Sequence, residues 1–351
     1  MGIYLYGGLT NEPPPIPTPT DTMKGKTMNG HTIILLIISI SVFGCAKSKD
    51  KFSDETPTDG DKSEYLHLSQ AIVEGFTIGG FGVISRQPDG QPEHQGEALI
   101  WGGTFLWSAP CDVAESHSAA MAAMVDDLGG QLIRVDPLGE YENGRQITLD
   151  GAIGFLLGVS RRITDCGEAD LWSGPVAKMI EFQNANGDRM NINSSAKLVG
   201  EFKYVRDLIA SRLRLRYEPD DSRKKDLEKI VGGWPGLVRL AHETGLGSDA
   251  CFRVNLSLST LITMETLGKE ISQDARNQFC ENSKSMDIPT VDHWCGRSNI
   301  TGYLSNYQID QYEYRHQRCK WESADGDGNT SHSLDKIIAY VFANGWKNLQ
   351  N

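Results

Sequence analysis

Two carboxylates stand where acid–base chemistry could be arranged. Glu97 lies among apolar residues in the stretch GEALIW, and Asp150 opens the stretch DGAIGFLLG. A glycosidase needs two carboxyl groups at a fixed separation, one kept protonated by an apolar setting and one ionised. A structural interpretation is also open, in which Glu97 is a first-turn acid and Asp150 a helix cap. Glu97 and Asp150 are therefore a candidate acid–base pair with a plain alternative.

Two tryptophans beside this pair could bind a sugar. Trp101 and Trp107 have flat indole faces that could stack on sugar rings, and they are six residues apart. A helix does not place residues six apart neatly on one face. The alternative is that both indoles belong to the hydrophobic core. Stacking on a ligand is thus tied to the catalytic interpretation alone.

Metal-binding patterns are weak. Glu64 with His67, and Glu313 with His316, have the three-residue spacing that puts both side chains on one helix face, as di-iron bundles require. Pairs of this kind also arise by chance in a chain of this length. We interpret them as surface residues, so the sequence predicts no metal site and no cofactor.

One segment matches a calcium-binding loop only in part. Residues 323–334 place Asp325 and Asp327 in the register of such a loop. Calcium needs six to eight oxygen ligands, including an acid at the last loop position. Ser323 stands where the first acid belongs and Leu334 where the last one belongs. A turn followed by a helix is the expected structure.

The cysteines predict disulfides. Of seven cysteines, Cys45 is set aside for reasons given below, and six remain. An even number in an exported chain favours disulfides, although six cysteines allow fifteen pairings. Cys280 with Cys295 closes the shortest loop and is our first choice, and Cys111 with Cys166 is the second. Buried thiols are the alternative, and the candidates are Cys111, Cys166, Cys251, Cys280, Cys295 and Cys319.

These residues must be positioned mainly by helices. From about residue 92 the chain alternates apolar helical patterns with short loops of Gly, Pro, Asp and Asn. The best candidate for extended structure is residues 75–86. Beyond the stretches around Trp101, Met121 and Phe155, helices are predicted at 175–182, 196–215, 226–230, 235–243, within 252–279 and 301–318, and at 333–342.

Composition excludes one class of partner. The formal net charge is −12, whereas a nucleic-acid-binding surface needs clustered Lys and Arg to neutralise phosphates. Two basic runs, residues 211–217 and 222–229, lie near acids. We interpret both as solvated helix faces.

The N-terminus predicts export. Residues 32–43 form an apolar run of twelve, too short to cross a bilayer but suited to the apolar core of a secretory signal. Lys24 and Lys26 supply the positive charge that precedes such a core. We therefore expect translation to begin at Met23, with residues 1–22 an over-long gene start and residues 23–44 the signal peptide.

The end of the apolar run resembles a known signal. Val42, Phe43, Gly44 and Cys45 resemble the lipobox of bacterial lipoproteins, although a small or β-branched residue is usual where Phe43 stands. The resemblance implies that Cys45 is acylated and becomes the N-terminus of the mature protein. Ala46 after the cysteine resembles the pattern of lipoproteins sent to the outer membrane of Gram-negative cells. Residues 45–64 are polar and are predicted to be a flexible tether.

A second resemblance concerns the fold. Residues 94–112 and 149–165 are similar to the paired-helix pattern of α/α-toroid carbohydrate-active proteins. The resemblance implies an array of helical hairpins that closes fully or partly into a toroid. We therefore predict that residues 65–351 form one mainly α-helical domain, an antiparallel helical-hairpin array with little strand.

The expected function follows from the export signal. We expect a lipid-anchored protein of the cell envelope that acts as a binding or structural module, with the membrane and a glycan or envelope protein as partners and no nucleic acid. The alternative is a glycan-active enzyme that uses Glu97 and Asp150 in the cleft of a toroid.

Overall fold

The structure is a computed structural model of the whole chain. It describes residues 57–83, 98–133, 147, 149–192, 197–198, 200–243, 252–284, 286, 288–297, 300–301, 304 and 334–350. All of them belong to the larger of two compact units, Asp50–Asn351. The predicted signal peptide and Cys45 lie outside the described residues.

The described part of the chain is mainly helical, which confirms the predicted fold class. Its strands are short: β1 (Thr77–Ile78) and β2 (Gly82–Val83) pair antiparallel, inside the segment predicted to be extended. The helices are α1 Asp59–Gly75, α2 Ala98–Ser108, α3 Glu115–Asp127, α4 Leu149–Thr164, α5 Ala169–Ala185, α6 Lys203–Arg212, α7 Asp221–Glu243, α8 Phe252–Thr266, α9 Gln273–Ser283, α10 Pro289–Trp294, α11 Leu334–Asn344 and α12 Trp346–Gln350.

Helix α1 takes in the last residues of the segment predicted as tether. The Thr58 side chain accepts a hydrogen bond from the backbone N–H of Asp61, and the Asp61 carboxylate accepts one from the backbone N–H of Thr58. This reciprocal capping box satisfies two backbone donors that a helix start otherwise leaves free. The helix therefore begins at Asp59, six residues before the predicted start of the domain.

Other boundaries also differ from the sequence prediction. Helix α5 covers Ala169–Ala185 rather than 175–182, with Pro175 inside it. Helix α6 covers Lys203–Arg212 rather than 196–215. The two short helices predicted between 226 and 243 are one helix, α7, with Pro235 inside it. The span 252–279 holds α8 and the start of α9, separated near Gly268, which has a φ of 76°.

The centre of the fold is the contact between α2 and α4. Every residue of α2 is buried, and so is α4 from Gly151 to Ile163. A Cβ placed on Gly103 would lie 2.0 Å from the carbonyl oxygen of Gly154, and one placed on Gly158 would lie 2.7 Å from the carbonyl oxygen of Gly103. The two backbones therefore touch directly, and only glycine fits at these points.

The register of this contact shows the helix directions. Along α2, Leu99 lies beside Gly151, and Leu106 lies beside Gly158. Both numbers rise together, so α2 and α4 run parallel, as alternate members of an antiparallel helical array do. Around them α4 packs on α6 and α8, α3 packs on α5, and α7 packs on α8 and α9. Closure into an α/α toroid stays a prediction.

Long apolar helices of the membrane-spanning kind are absent from this part of the chain. Among the described residues, no helix combines the length and the apolarity needed to cross a bilayer.

The α2–α4 contact can be tested with one methyl group. Gly103→Ala would push Cβ into the backbone of Gly154, which cannot move aside as a flexible side chain would. We expect the free energy of unfolding to fall by about 3 kcal/mol, measured by urea denaturation.

The matched control is Gly75→Ala. Gly75 is the last residue of α1, is exposed, and has no atom within 4 Å of a built Cβ. This change should leave stability equal or raise it by up to about 1 kcal/mol, because alanine favours the helix. Equal losses in the two variants would contradict the proposed backbone contact.

Candidate functional site

One buried group of charged side chains lies where α4 ends. Arg161 and Arg162 occupy its last turn and are 1% and 0% exposed. Positive charge is favourable near the carboxyl end of a helix, because the helix dipole is negative there. A guanidinium group taken out of water is costly unless it is paired. We call Arg161, Arg162 and their partners the arginine cluster.

Arg162 is held by a carboxylate and a carbonyl. Its Nε donates to Oε2 of Glu168 at 2.9 Å, its Nη2 donates to Oε1 of the same residue, and Nη2 also donates to the carbonyl of Cys111 at 2.8 Å. Ser118 donates to Glu168, and the indole N–H of Trp172 donates to Ser118 at 3.1 Å. This network joins α3, α4, α5 and the turn after α2.

Arg161 is less completely paired. Its Nη1 lies 2.8 Å from the Asp165 carboxylate, and its guanidinium carbon lies 4.3 Å from the ring centroid of Trp346. Its Nε and Nη2 have no hydrogen-bond partner among the described residues. Burial lowers the pKa of Arg161, while Asp165 acts in the opposite direction.

The same region caps the end of α2. The Tyr65 hydroxyl of α1 donates to the carbonyl of Ser108 at 2.6 Å, and the Trp346 indole of α12 donates to the carbonyl of Trp107 at 3.0 Å. These carbonyls belong to the last helical turn and have no partner within the helix. Burial raises the pKa of Tyr65, so the hydroxyl remains a donor.

The tryptophans named for ligand stacking lie in the core. Trp107 is 2% exposed, packs edge-on against Trp346 with 4.8 Å between ring centroids, and donates from its indole N–H to Thr266 at 3.3 Å. Trp101 is also buried, in the middle of α2. Sequence spacing could not separate core packing from stacking. Both indoles are buried in the structure, and stacking on a ligand stays a prediction.

The structure describes only one of the two candidate carboxylates. Asp150 lies half-buried in the first turn of α4, and Glu97 lies outside the described residues. Because α2 and α4 are parallel, Asp150 is at the same end of the helix pair as Ala98, where α2 begins. Catalysis by this pair stays a prediction.

Glu64 and His67 have different surroundings in the structure. The Glu64 carboxylate accepts hydrogen bonds from the Lys336 ammonium group and the Tyr340 hydroxyl, which joins α1 to α11. Burial alone would raise the pKa of Glu64, but these two partners outweigh it and hold the pKa below its usual value. His67 is exposed on the surface of α1.

Metal ligands do not converge in the described part. Among the described residues, no group of three or more His, Cys, Asp or Glu side chains is placed to hold a metal ion. Glu313, His316 and the broken calcium loop up to residue 333 lie outside those residues.

Two predicted disulfides are confirmed. Cys111 is bonded to Cys166, and Cys280 is bonded to Cys295. The first bond lies beside the arginine cluster, where the carbonyl of Cys111 accepts from Arg162. The remaining cysteines, Cys251 and Cys319, lie outside the described residues.

Sequence reasoning missed the arginine cluster. In the sequence, Arg161 and Arg162 fit basic residues that complement the dipole of a helix end, and this pattern reveals neither their burial nor Glu168 as a partner. The available signal was a pair of arginines at the end of a strongly apolar helix, followed by Asp165 four residues after Arg161.

Comparison with known proteins adds no assignment. No protein-family model, curated protein or solved structure matches this chain. The site is therefore interpreted from its own geometry.

The Arg162–Glu168 pair should be important for stability. Glu168→Gln removes the charge that compensates a fully buried guanidinium, and its side chain is only 14% exposed. Because breaking a buried pair leaves an uncompensated charge, we expect a loss of about 3 kcal/mol in the free energy of unfolding.

Asp126→Asn is the matched control in urea denaturation. Asp126 pairs with Lys178 at 2.7 Å, but both side chains are about half exposed, at 45% and 46%. Exposed pairs contribute less than about 1 kcal/mol. A Glu168→Gln variant as stable as Asp126→Asn would show that Arg162 does not depend on this partner.

His117 predicts how stability changes with pH. It is 2% exposed, its ring packs 5.0 Å from that of Phe105, and burial lowers its pKa to about 4. In the unfolded chain the pKa of His117 is near 6.5. As pH falls from about 6.5 to about 4, the unfolded state therefore binds a proton at this residue and the folded state does not. Stability should drop by up to about 3 kcal/mol across that range.

The measurement is the urea midpoint between pH 4 and 7. His117→Gln should flatten the dependence, because the variant has no group at this position that takes up the proton. Gln70→Asn, at an exposed residue that does not titrate, should keep the slope of the parent protein. An unchanged slope in His117→Gln would refute the assignment.

Proposed function

We propose that the protein is an exported lipoprotein of the cell envelope, anchored through Cys45, and that its helical domain is a binding or structural module. The observation that carries the proposal is the pair of disulfides, Cys111–Cys166 and Cys280–Cys295. Structural disulfides persist in oxidising compartments and are rare where thiols are kept reduced. A chain with two of them is expected to leave the cytosol.

The N-terminal sequence supports the same route. A short apolar run follows Lys24 and Lys26 and ends at Gly44 and Cys45. One acyl chain gives only marginal membrane binding, whereas several hold a protein firmly. The multiply acylated cysteine implied by the lipobox resemblance would therefore supply the whole anchor, and the domain need contribute no membrane-spanning segment.

The domain itself favours binding or structure over catalysis. Arg162 pairs with Glu168 inside the domain, Arg161 pairs with Asp165, and the central tryptophans are buried in the core. Such residues hold helices in place rather than meet a substrate. A module of this kind would act through its surface, with a glycan or another envelope protein as the partner.

Labelled palmitate tests the anchor. Cells that express the full chain should incorporate the label into the protein and release it from membranes only with detergent. Cys45→Ser should abolish both the labelling and the membrane fractionation, because the acylated thiol is gone. Cys251→Ser is the control and should keep the label.

Thiol accessibility gives an independent readout of export. In the protein recovered from cells under denaturing conditions, at least four cysteines should react with an alkylating agent only after reduction, as two disulfides require. Unlabelled protein in the cytosol with every thiol reactive would overturn the proposal.

A further inference from the structure

The segment that follows α6 carries an unusual row of arginines. Arg212, Arg214 and Arg216 are exposed, while Leu213 between them is buried. No hydrogen bond or ion pair engages the three guanidinium groups among the described residues. The sequence pattern suggested a solvated helix face, but α6 ends at Arg212 and the two later arginines lie beyond it. We call these three residues the arginine loop.

The backbone of the arginine loop is strained. The N–H of Leu215 donates to the carbonyl of Ala210 at 2.9 Å, and that of Arg214 donates to Ser211 at 3.0 Å. These bonds form a Schellman motif, which places Arg214 in the left-handed region with a φ of 59°. Arg216 has the same φ of 59°.

Glycine normally occupies the position of Arg214. Four other helices of this chain, α3, α5, α8 and α10, end with the same long backbone bond. Each has glycine at the left-handed position, namely Gly129, Gly187, Gly268 and Gly296. An arginine there lowers the folding equilibrium constant about fivefold, because its Cβ crowds the backbone. No contact within the described chain offsets this loss.

The strain at Arg214, which no contact among the described residues offsets, suggests that the residue binds a ligand outside the protein. Non-glycine residues held in the left-handed region cluster at ligand sites, where the strain is part of the function. Arginine presents a planar fork of N–H donors that matches the oxygens of a phosphate group. The arginine loop therefore has the chemistry of a phosphate-binding surface.

We propose that Arg212, Arg214 and Arg216 bind the phosphate head groups of an anionic membrane surface. This inference rests on the proposed lipid anchor at Cys45. Even fully extended, the residues from Cys45 to Thr58 span at most about 45 Å, so an anchored domain stays close to lipid. With a net charge of −12, the chain as a whole is repelled by anionic lipid. The arginine loop would decide which face of the domain turns towards the membrane.

The acids that follow are engaged with groups other than the arginine loop, or lie beside it. Asp220 accepts hydrogen bonds from the N–H and the hydroxyl of Ser222, where α7 begins, and Ser222 lowers the pKa of Asp220. Asp221 lies in the first turn of α7, where the helix dipole favours a negative charge. Glu218 remains as an exposed acid next to the loop.

Vesicle sedimentation tests the proposal. The chain from residue 45 onward, with Cys45→Ser, holds every residue the structure describes and carries no acyl group. It should bind vesicles of phosphatidylcholine with phosphatidylglycerol and not vesicles of phosphatidylcholine alone. Each cation near an anionic surface contributes about fivefold, so replacing all three arginines by glutamine should weaken binding about a hundredfold.

The control removes as much charge elsewhere. Lys225, Lys229 and Lys284 are exposed on α7 and after α9, and changing all three to glutamine should alter binding far less than the arginine changes do. Glu218→Gln should strengthen binding. Equal losses in the two triple variants, or no preference for anionic vesicles, would overturn the inference. Capture of an acidic protein without vesicle binding would overturn it in favour of a protein partner.

A single substitution separates binding from folding. Arg214→Gly should weaken vesicle binding about fivefold and raise the folding equilibrium constant about fivefold in urea denaturation. Because the two effects have opposite signs, damage to the fold cannot produce both. A less stable Arg214→Gly variant would refute the strain on which the inference depends.

The result is independent of the palmitate experiment. Failure of labelling with intact vesicle binding would overturn the anchor and leave a lipid-phosphate surface. Successful labelling without a preference for anionic vesicles would overturn the arginine loop and leave the anchor.

Discussion

The backbone contact between α2 and α4 is the constraint on which the rest of the structure depends. Gly103, Gly154 and Gly158 let two parallel helices approach until main-chain atoms touch. Such an approach buries α2 completely, so each of its faces must be covered by another element. Strand β2 meets it at Gly102, where a Cβ would lie 2.1 Å from the carbonyl of Phe81. The other helices pack around this pair.

Burying a helix also buries its polar ends, whose hydrogen-bonding groups then need partners inside the protein. The last carbonyls of α2 are met by Tyr65 and Trp346, and the arginines at the end of α4 are met by Glu168 and Asp165. The Cys111–Cys166 disulfide joins the chain at the same place. The buried arginines and the disulfide therefore hold the ends of these helices together.

Much of the fold was accessible to sequence reasoning, for local reasons. Apolar periodicity predicted a mainly helical chain, and the shortest cysteine loop predicted Cys280–Cys295. The ends of elements were less accessible. Helix α1 begins earlier than predicted because of the Thr58–Asp61 capping box, and α6 ends earlier because Arg214 adopts a left-handed conformation. Because arginine rather than glycine occupies position 214, no sequence signal marked the end of α6.

What the sequence alone determined is whatever depends on neighbours along the chain: the helical class, one extended segment and the excess of acid. Export and acylation at Cys45 stay predictions. The tertiary structure decided the role of individual side chains, because that role depends on distant partners. Trp107 is a core residue because α12 covers it, and Arg162 is a buried charge because Glu168 reaches it. Sequence spacing cannot reveal such contacts, because they form only when α2 and α4 pack together.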